Sequence, residues 1–197
     1  MKLMKTMINV LHPVLQWIGK IHSPWSHKLV TGYDYLKVRD LIKPGDVLLT
    51  RTYGELSSLI IPSHWKHAAI YLGTEMIGEA TQNGVRSDYL STFMLHKDEV
   101  KVLRPLFLSD IECKEAALYA LNQIGVPYDF AYEETVKAFY CSELVRSAYE
   151  HAWELKHAPE PFPFELRIRA GIKTVSPDDF DKATSKFGVV YCSSSFN

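Results

Sequence analysis

Three side chains in this sequence are of the types that together carry out acyl transfer: Cys141, His67 and Glu79. Cys141 lies in the segment Phe139-Tyr-Cys-Ser-Glu-Leu-Val-Arg-Ser-Ala148. From it onward Leu144, Val145, Ala148, Tyr149, Ala152 and Leu155 recur at helical spacing, which predicts one helix over residues 141–155 with a buried stripe. A cysteine in the first turn of a helix meets unpaired N–H groups and the positive end of the dipole, which favour the thiolate and draw its pKa down from about 8.5. A lone cysteine is more commonly a buried structural thiol. The polar neighbours Tyr140 and Ser142 count towards reactivity, and this segment alone leaves both readings open.

His67 opens the run His-Ala-Ala-Ile-Tyr-Leu-Gly73, the pattern of a mostly buried strand, so its imidazole is expected at a strand edge on a rigid support. Alone, with seven other histidines in the chain, it would read as a surface or core residue. Glu79 follows twelve residues later in Ile77-Gly-Glu-Ala80, within a second predicted strand over 75–81. A short turn at Gly73-Thr74 makes a hairpin that brings Glu79 beside His67 in some registers. A carboxylate on one ring nitrogen would fix the tautomer and leave the other nitrogen to take a thiol proton. Glu79 alone would read as a solvated strand charge, against which its apolar neighbours Ile77 and Ala80 count.

The elements that must position these residues follow an α+β order. Residues 4–20 carry Met4, Met7, Ile8, Leu11, Leu15 and Ile18 at helical spacing, interrupted by Pro13. This stretch is too short and too polar to span a bilayer, and lacks a small-residue cleavage site after it. A packed arm is expected ahead of a weak membrane-surface helix. A short helix over 35–42 ends at Lys43-Pro-Gly and leads into a strand over 46–51; another short helix over 55–61 stops at Pro62. A helix over 88–95 precedes a strand over 100–103. Ser109 with Glu112 forms a capping-box start for a helix reaching Gln123, with Gly125 as its stop. Ser176-Pro-Asp-Asp caps a further short helix, a strand over 187–191 follows, and Ala158 to Phe164 is expected as a loop. The expected division is an N-terminal helical arm over 1–34, a catalytic domain over 35–192 and a flexible tail over 193–197.

Composition agrees with one enzyme domain. A chain of 197 residues with 47% hydrophobic content can bury a core without splitting. A net charge of −1 and the lack of a basic run give no reason to expect nucleic acid as a partner. Three cysteines, Cys113, Cys141 and Cys192, suit neither a disulfide framework nor a zinc ribbon. His64, His67 and Cys141 would be a conceivable zinc trio, but a fourth ligand is not evident and His67 belongs to a strand, so no metal and no cofactor are expected.

The order Lys43-Pro-Gly-Asp-Val-Leu-Leu49, Trp65-Lys-His-Ala-Ala-Ile-Tyr-Leu-Gly73, Gly125-Val-Pro-Tyr-Asp129 and Tyr140-Cys-Ser-Glu-Leu-Val145 resembles the circularly permuted branch of the NlpC-type papain-like superfamily. Within that branch it is most similar to the YiiX/YebB-like proteins. Ordinary members place the cysteine before the histidine; here the order is histidine, acidic residue, cysteine, as in permuted members. The resemblance covers roughly residues 40–180. It implies an α+β, permuted papain-like fold, with an antiparallel sheet packed against helices. It also implies Cys141 as nucleophile, His67 as base and Glu79 as the third polar residue. In the lecithin retinol acyltransferase relatives that third residue is a histidine, so Glu79 points away from them.

The expected reaction is cleavage of an amide in a peptide or peptidoglycan-derived substrate through a thioester. Acyl transfer, thioester or lipid-ester hydrolysis on the same triad, and a non-catalytic binding module, are the alternatives. The Cys141 N–H at the helix start is an expected oxyanion donor, with Tyr140 or Tyr35 as candidates for a second. Trp65, Tyr128, Asp129, Tyr53 and Tyr140 are candidate substrate-binding residues, with Arg51 behind them; Trp65, Tyr128 and Asp129 read equally well as packing or turn residues. Asp129 or Glu143 would meet a free amine on a short peptide. A cytoplasmic location is slightly favoured for want of a clear signal peptide, and nothing in the sequence bears on oligomeric state.

Overall fold

The apolar runs Val47-Leu-Leu49 and Ala68-Ala-Ile70 are unbroken because the sheet they enter is covered on both faces. The computed structural model describes residues 29–53, 63–129, 138–169 and 172–193. The helices expected over 4–20 and 55–61 lie outside the described residues. The main sheet contains β1 (Val47–Arg51), β2 (His67–Gly73), β3 (Met76–Thr81), β4 (Gly84–Tyr89), β5 (Glu99–Pro105) and β8 (Phe187–Cys192). Its strand order is β4-β3-β2-β1-β5-β8, with every neighbouring pair antiparallel.

One face of the sheet carries Val47, Leu49, Ala68, Ile70 and Leu103, which pack under α3 (Asp110–Asn122), α4 (Cys141–His157) and α5 (Pro177–Lys182). The other face carries Leu48, Ala69, Tyr71, Ile77, Val100 and Val102 under α1 (Gly32–Leu41) and α2 (Leu90–Leu95). Each fully buried aliphatic side chain is worth about 1.5–3 kcal/mol. The stripe Leu144, Val145, Ala148, Tyr149 and Ala152 of α4 is buried, against Ala116, Ala117 and Ala120 of α3, whose small side chains let the two helices approach. Tyr149, Phe164, Phe180 and Phe187 close the core with edge and tilted ring contacts, Phe180 and Phe187 having centroids 5.4 Å apart.

The Lys-Pro-Gly-Asp segment has a defined job. Gly45 sits at φ 88°, donates to the Tyr71 carbonyl at 2.9 Å and accepts from the Tyr149 hydroxyl at 2.7 Å. A Cβ on it would lie 2.4 Å from the Cys113 carbonyl oxygen, so only glycine fits. Asp46, 1% exposed, accepts from Arg104 at 2.8 and 2.7 Å and from the Lys43 N–H at 2.8 Å.

Several boundaries differ from the sequence reading. α1 starts at Gly32 instead of 35, because Thr31 and Asp34 form a capping box. Asp88 and Tyr89 belong to β4, paired with Ile77 and Met76, so α2 starts only at Leu90. β4 itself and the small hairpin of β6 (Arg167–Arg169) with β7 (Ile172–Thr174) were not anticipated. Ser193, expected to begin a flexible tail, is bonded to Val100 in both directions at 2.9 Å. Among the described residues, no helix is long and apolar enough to cross a membrane.

Candidate active site

The β2–β3 hairpin turns through Gly73, Thr74 and Glu75, all at positive φ, and its ladder begins at Ile70↔Gly78. Continuing that register puts Glu79 opposite Ala69 and on the same sheet face as His67, two residues along. Beyond Gly78 the two strands are free to part, and Glu79 reaches diagonally to His67: Nε2 and Oε2 are 2.7 Å apart. An ionised carboxylate only accepts, so Nε2 carries the proton and Nδ1 is left for Cys141.

Cys141 is the first residue of α4, after Tyr140 in extended conformation. Glu143 reaches back to accept the Tyr140 N–H at 3.2 Å, half of a capping box. Ser142 donates its hydroxyl to the Val175 carbonyl at 2.9 Å, and the Tyr140 hydroxyl accepts from the Val175 N–H at 3.1 Å and pairs with Thr174 at 2.9 Å. The helix start is thus tied to the end of β7 and the residue that follows it.

The sulfur and imidazole are hydrogen-bonded to each other. Burial pushes the Cys141 thiol up, but the hydrogen bond and charge of His67, with the N–H groups of Ala68 and Ser142, outweigh it and hold the thiol below its usual value. Burial pushes His67 down, yet Cys141 and Glu79 together raise it to about 9. Glu79 is 5% exposed at its side chain; burial raises its pKa, and His67 with Arg86 bring it to about 2. The arrangement favours a thiolate beside an imidazolium. The other free thiols differ: burial and the charges of Asp46 and Asp110 push Cys113 up to about 12, and burial raises Cys192.

Two supporting residues were missed in the sequence. Arg86 lies directly opposite Glu79 on β4 and binds its Oε1 through Nε at 2.8 Å and Nη2 at 2.7 Å. The signal available was Asn83-Gly84, a strong hairpin dipeptide, which would have predicted a β3–β4 hairpin though not this register. Gly84, at φ 99°, packs against Val126, whose carbonyl oxygen would lie 2.7 Å from a Cβ. Asp178 of α5 accepts the backbone N–H of His64 at 3.2 Å and of Trp65 at 2.8 Å, pinning the chain just before His67.

The remaining candidates are dispersed. Trp65 is a core side chain, 3% exposed, with its indole N–H given to Asp181 at 2.9 Å, so it does not wall an open cleft. Tyr140 is buried and its hydroxyl is held by Thr174 and Val175 instead of facing the sulfur. Tyr35 donates to Glu75 at 2.8 Å, at the opposite end of the β2–β3 hairpin from His67. Tyr128 is half-buried and Asp129 buried, in a short stretch paired with Phe139 just before Cys141. Tyr53 donates its hydroxyl to Glu99 and its N–H to Asp98 at 2.5 Å, while Arg51 stacks on its ring at 4.5 Å. His64 turns away from His67, to Glu99 at 2.8 Å and Arg51 at 2.6 Å.

Comparison with known proteins places this geometry. A family profile described as permuted papain-like amidase enzyme, YaeF/YiiX, C92 family, matches residues 41–184. A solved structure titled "Crystal structure of metalloprotein yiiX from Escherichia coli O157:H7, DUF1105" aligns with a TM-score of 0.59 at 21% identity, covering 77% of this chain and 97% of that one. It shows the same fold. A comparison with curated proteins finds no match. That structure's title speaks of a metalloprotein; among the described residues here, no group of three or more His, Cys, Asp or Glu side chains is arranged to hold a metal ion. With its profile match spanning most of the sequence and its sheet bearing histidine and glutamate ahead of a helix that starts on cysteine, the chain belongs to the permuted papain-like amidases of the YaeF/YiiX, C92 family and is a cysteine peptidase/amidase-type hydrolase.

Proposed function

We propose that Cys141, His67 and Glu79 act as a nucleophile, acid/base and orienting carboxylate that cleave an amide bond in a peptide or peptidoglycan-derived substrate. The observation that carries this is the unbroken chain from the Cys141 sulfur through the imidazole to the Glu79 carboxylate, 2.7 Å from Nε2. The Cys141 thiolate attacks the carbonyl carbon, forming a C–S bond and an oxyanion that the Cys141 backbone N–H at the head of α4 is oriented to bind. The imidazolium of His67 gives its proton to the amide nitrogen as the C–N bond breaks and the amine leaves. His67, now neutral, takes a proton from water, whose oxygen attacks the thioester. The C–S bond then breaks, releasing the acid and restoring the thiolate. Glu79 holds the ring orientation and compensates its charge without itself taking a proton.

A soluble, amine-bearing peptide is the favoured substrate, with Tyr128 and Asp129 in the stretch paired with Phe139 that leads into Cys141. The test is a panel of muropeptides and dipeptide amides beside phospholipids and acyl-thioesters. Amide turnover that vanishes in Cys141→Ala is the expected result. Turnover confined to lipids or thioesters and lost in the same variant would keep the triad and overturn the amide reading. No turnover of any class, with an unreactive thiol, would leave a binding module.

A further inference from the structure

We propose that Arg86 is a positioning residue for this site, acting through Glu79 to keep the carboxylate ionised with Oε2 turned to His67. The inference rests on the proposed triad and goes beyond it, since Arg86 touches neither the sulfur nor the imidazole in that scheme.

The geometry is specific. Arg86 and Glu79 are direct partners across β3 and β4, and Arg86 places two donors, Nε at 2.8 Å and Nη2 at 2.7 Å, on the single oxygen Oε1. With Oε1 occupied, Oε2 is the oxygen that meets Nε2 of His67 at 2.7 Å. The two partners differ in burial: the Arg86 side chain is 52% exposed and that of Glu79 only 5%. An ordinary exposed cross-strand pair contributes little, but a buried carboxylate needs its charge and both oxygens satisfied. Arg86 brings a cation from the solvent side to an anion that water barely reaches.

The charged groups around Glu79 are His67 on β2, with Cys141 of α4 beyond it, and Arg86 on β4, whose Nη2 is also 3.6 Å from Asp88. On the α2 side the His67 ring meets the neutral ring of Phe93 at 6.0 Å, over which the Lys97 ammonium lies at 5.4 Å. The only cation bonded to Glu79 besides His67, among the described residues, is Arg86. Its removal leaves Oε1 buried without these donors, so Glu79 takes up a proton at higher pH. The imidazolium then loses its counter-ion, and the thiolate its partner.

The test is the pH profile of Cys141 alkylation by iodoacetamide in the full chain, which needs no substrate. Arg86→Met is expected to move the acid limb upward by about one pH unit, read as roughly tenfold slower alkylation on that limb. Arg86→Lys, which keeps the charge but loses the two-donor fork, is expected to shift it less. In a Glu79→Gln background, Arg86→Met is expected to add no further shift, because the effect runs through the carboxylate. Should Arg86→Met fail to fold, Arg86→Lys and Arg86→Gln carry the same comparison. A depressed wild-type profile that neither Arg86 variant changes, whatever happens to Tm, overturns this inference alone. A wild-type Cys141 that titrates like a free thiol overturns the proposed pair, and this inference with it.

Discussion

His67 and Glu79 meet diagonally, not face to face: the register puts Glu79 opposite Ala69, yet its Oε2 is 2.7 Å from His67 Nε2. Diagonal neighbours on an antiparallel pair are about 7–8 Å apart at the backbone, a gap that a glutamate and a histidine together can close. A one-residue slip would send Glu79 to the other face of the sheet, away from the imidazole. The positive-φ turn at Gly73, Thr74 and Glu75 therefore sets chemistry as well as topology.

Selective labelling checks the thiol assignment. Limited iodoacetamide treatment at neutral pH, followed by peptide mass mapping, is expected to modify Cys141 ahead of Cys192, with Cys113 last. The basis is that Cys141 alone is held below the usual thiol value, while burial raises the other two. Preferential labelling of Cys113 or Cys192 would count against Cys141 as the nucleophile.

The pH dependence has a definite sign. His67→Ala removes the cation that opposes burial of Cys141, so the thiol pKa rises and alkylation requires more alkaline conditions. Glu79→Gln removes an anion that raises His67, so the His67 pKa falls from about 9. Amide hydrolysis needs the imidazolium to protonate the leaving amine, so its alkaline limb near pH 9 moves to lower pH in Glu79→Gln. Kinetic profiles of the three proteins measure this; superimposed alkaline limbs for wild type and Glu79→Gln contradict the pairing.

Asp178→Ala leaves the His64 and Trp65 N–H groups without their carboxylate, at a cost of about 2 kcal/mol. Because those residues lead into His67, slower Cys141 alkylation is expected as well as a lower Tm. Chemical denaturation and alkylation rates read the two effects separately. A stability loss with wild-type alkylation would show that Asp178 supports the fold without positioning the imidazole.

Tyr149→Phe tests the packing at the other end of the sheet. It keeps the ring contacts but deprives the buried Gly45 carbonyl of its 2.7 Å donor, and is expected to cost about 1–2 kcal/mol. Thermal unfolding measures the loss. The thiol profile should not move, since Gly45 lies in the turn that receives Tyr71, at the far end of β2 from His67.

The parts of this architecture legible in the sequence were those with strong periodicity or capping chemistry. His67–Gly73 and the helix from Cys141 are examples: a buried run bounded by glycine, and an apolar stripe at helical spacing. β4 escaped because an edge strand reading Gly-Val-Arg-Ser-Asp-Tyr is half exposed and polar, and its evidence lay in the Asn83-Gly84 turn. Trp65, beside His67, read equally well as a cleft wall or as packing; its indole fills the core. Arg86, Asp178 and the Ala68 N–H were invisible for one physical reason. Each acts through register or tertiary contact, which no local pattern encodes.

The chain order of the site bears on how the proposed nucleophile is kept safe during synthesis. The hairpin holding His67 and Glu79 is complete 60 residues before Cys141. Translation proceeds from the N-terminus, so strands β1 to β5 and α3 have already emerged when the cysteine appears. Until α4 docks against β2, the cysteine lacks both helix dipole and imidazolium and remains an ordinary thiol, largely protonated at neutral pH. Tethering of Tyr140 and Ser142 to Thr174 and Val175 completes the pocket only after a further 34 residues. The Cys141 sulfur therefore gains the imidazole and the helix start only when α4 docks on strands that precede it in the chain, with β8 alone of the main sheet following it.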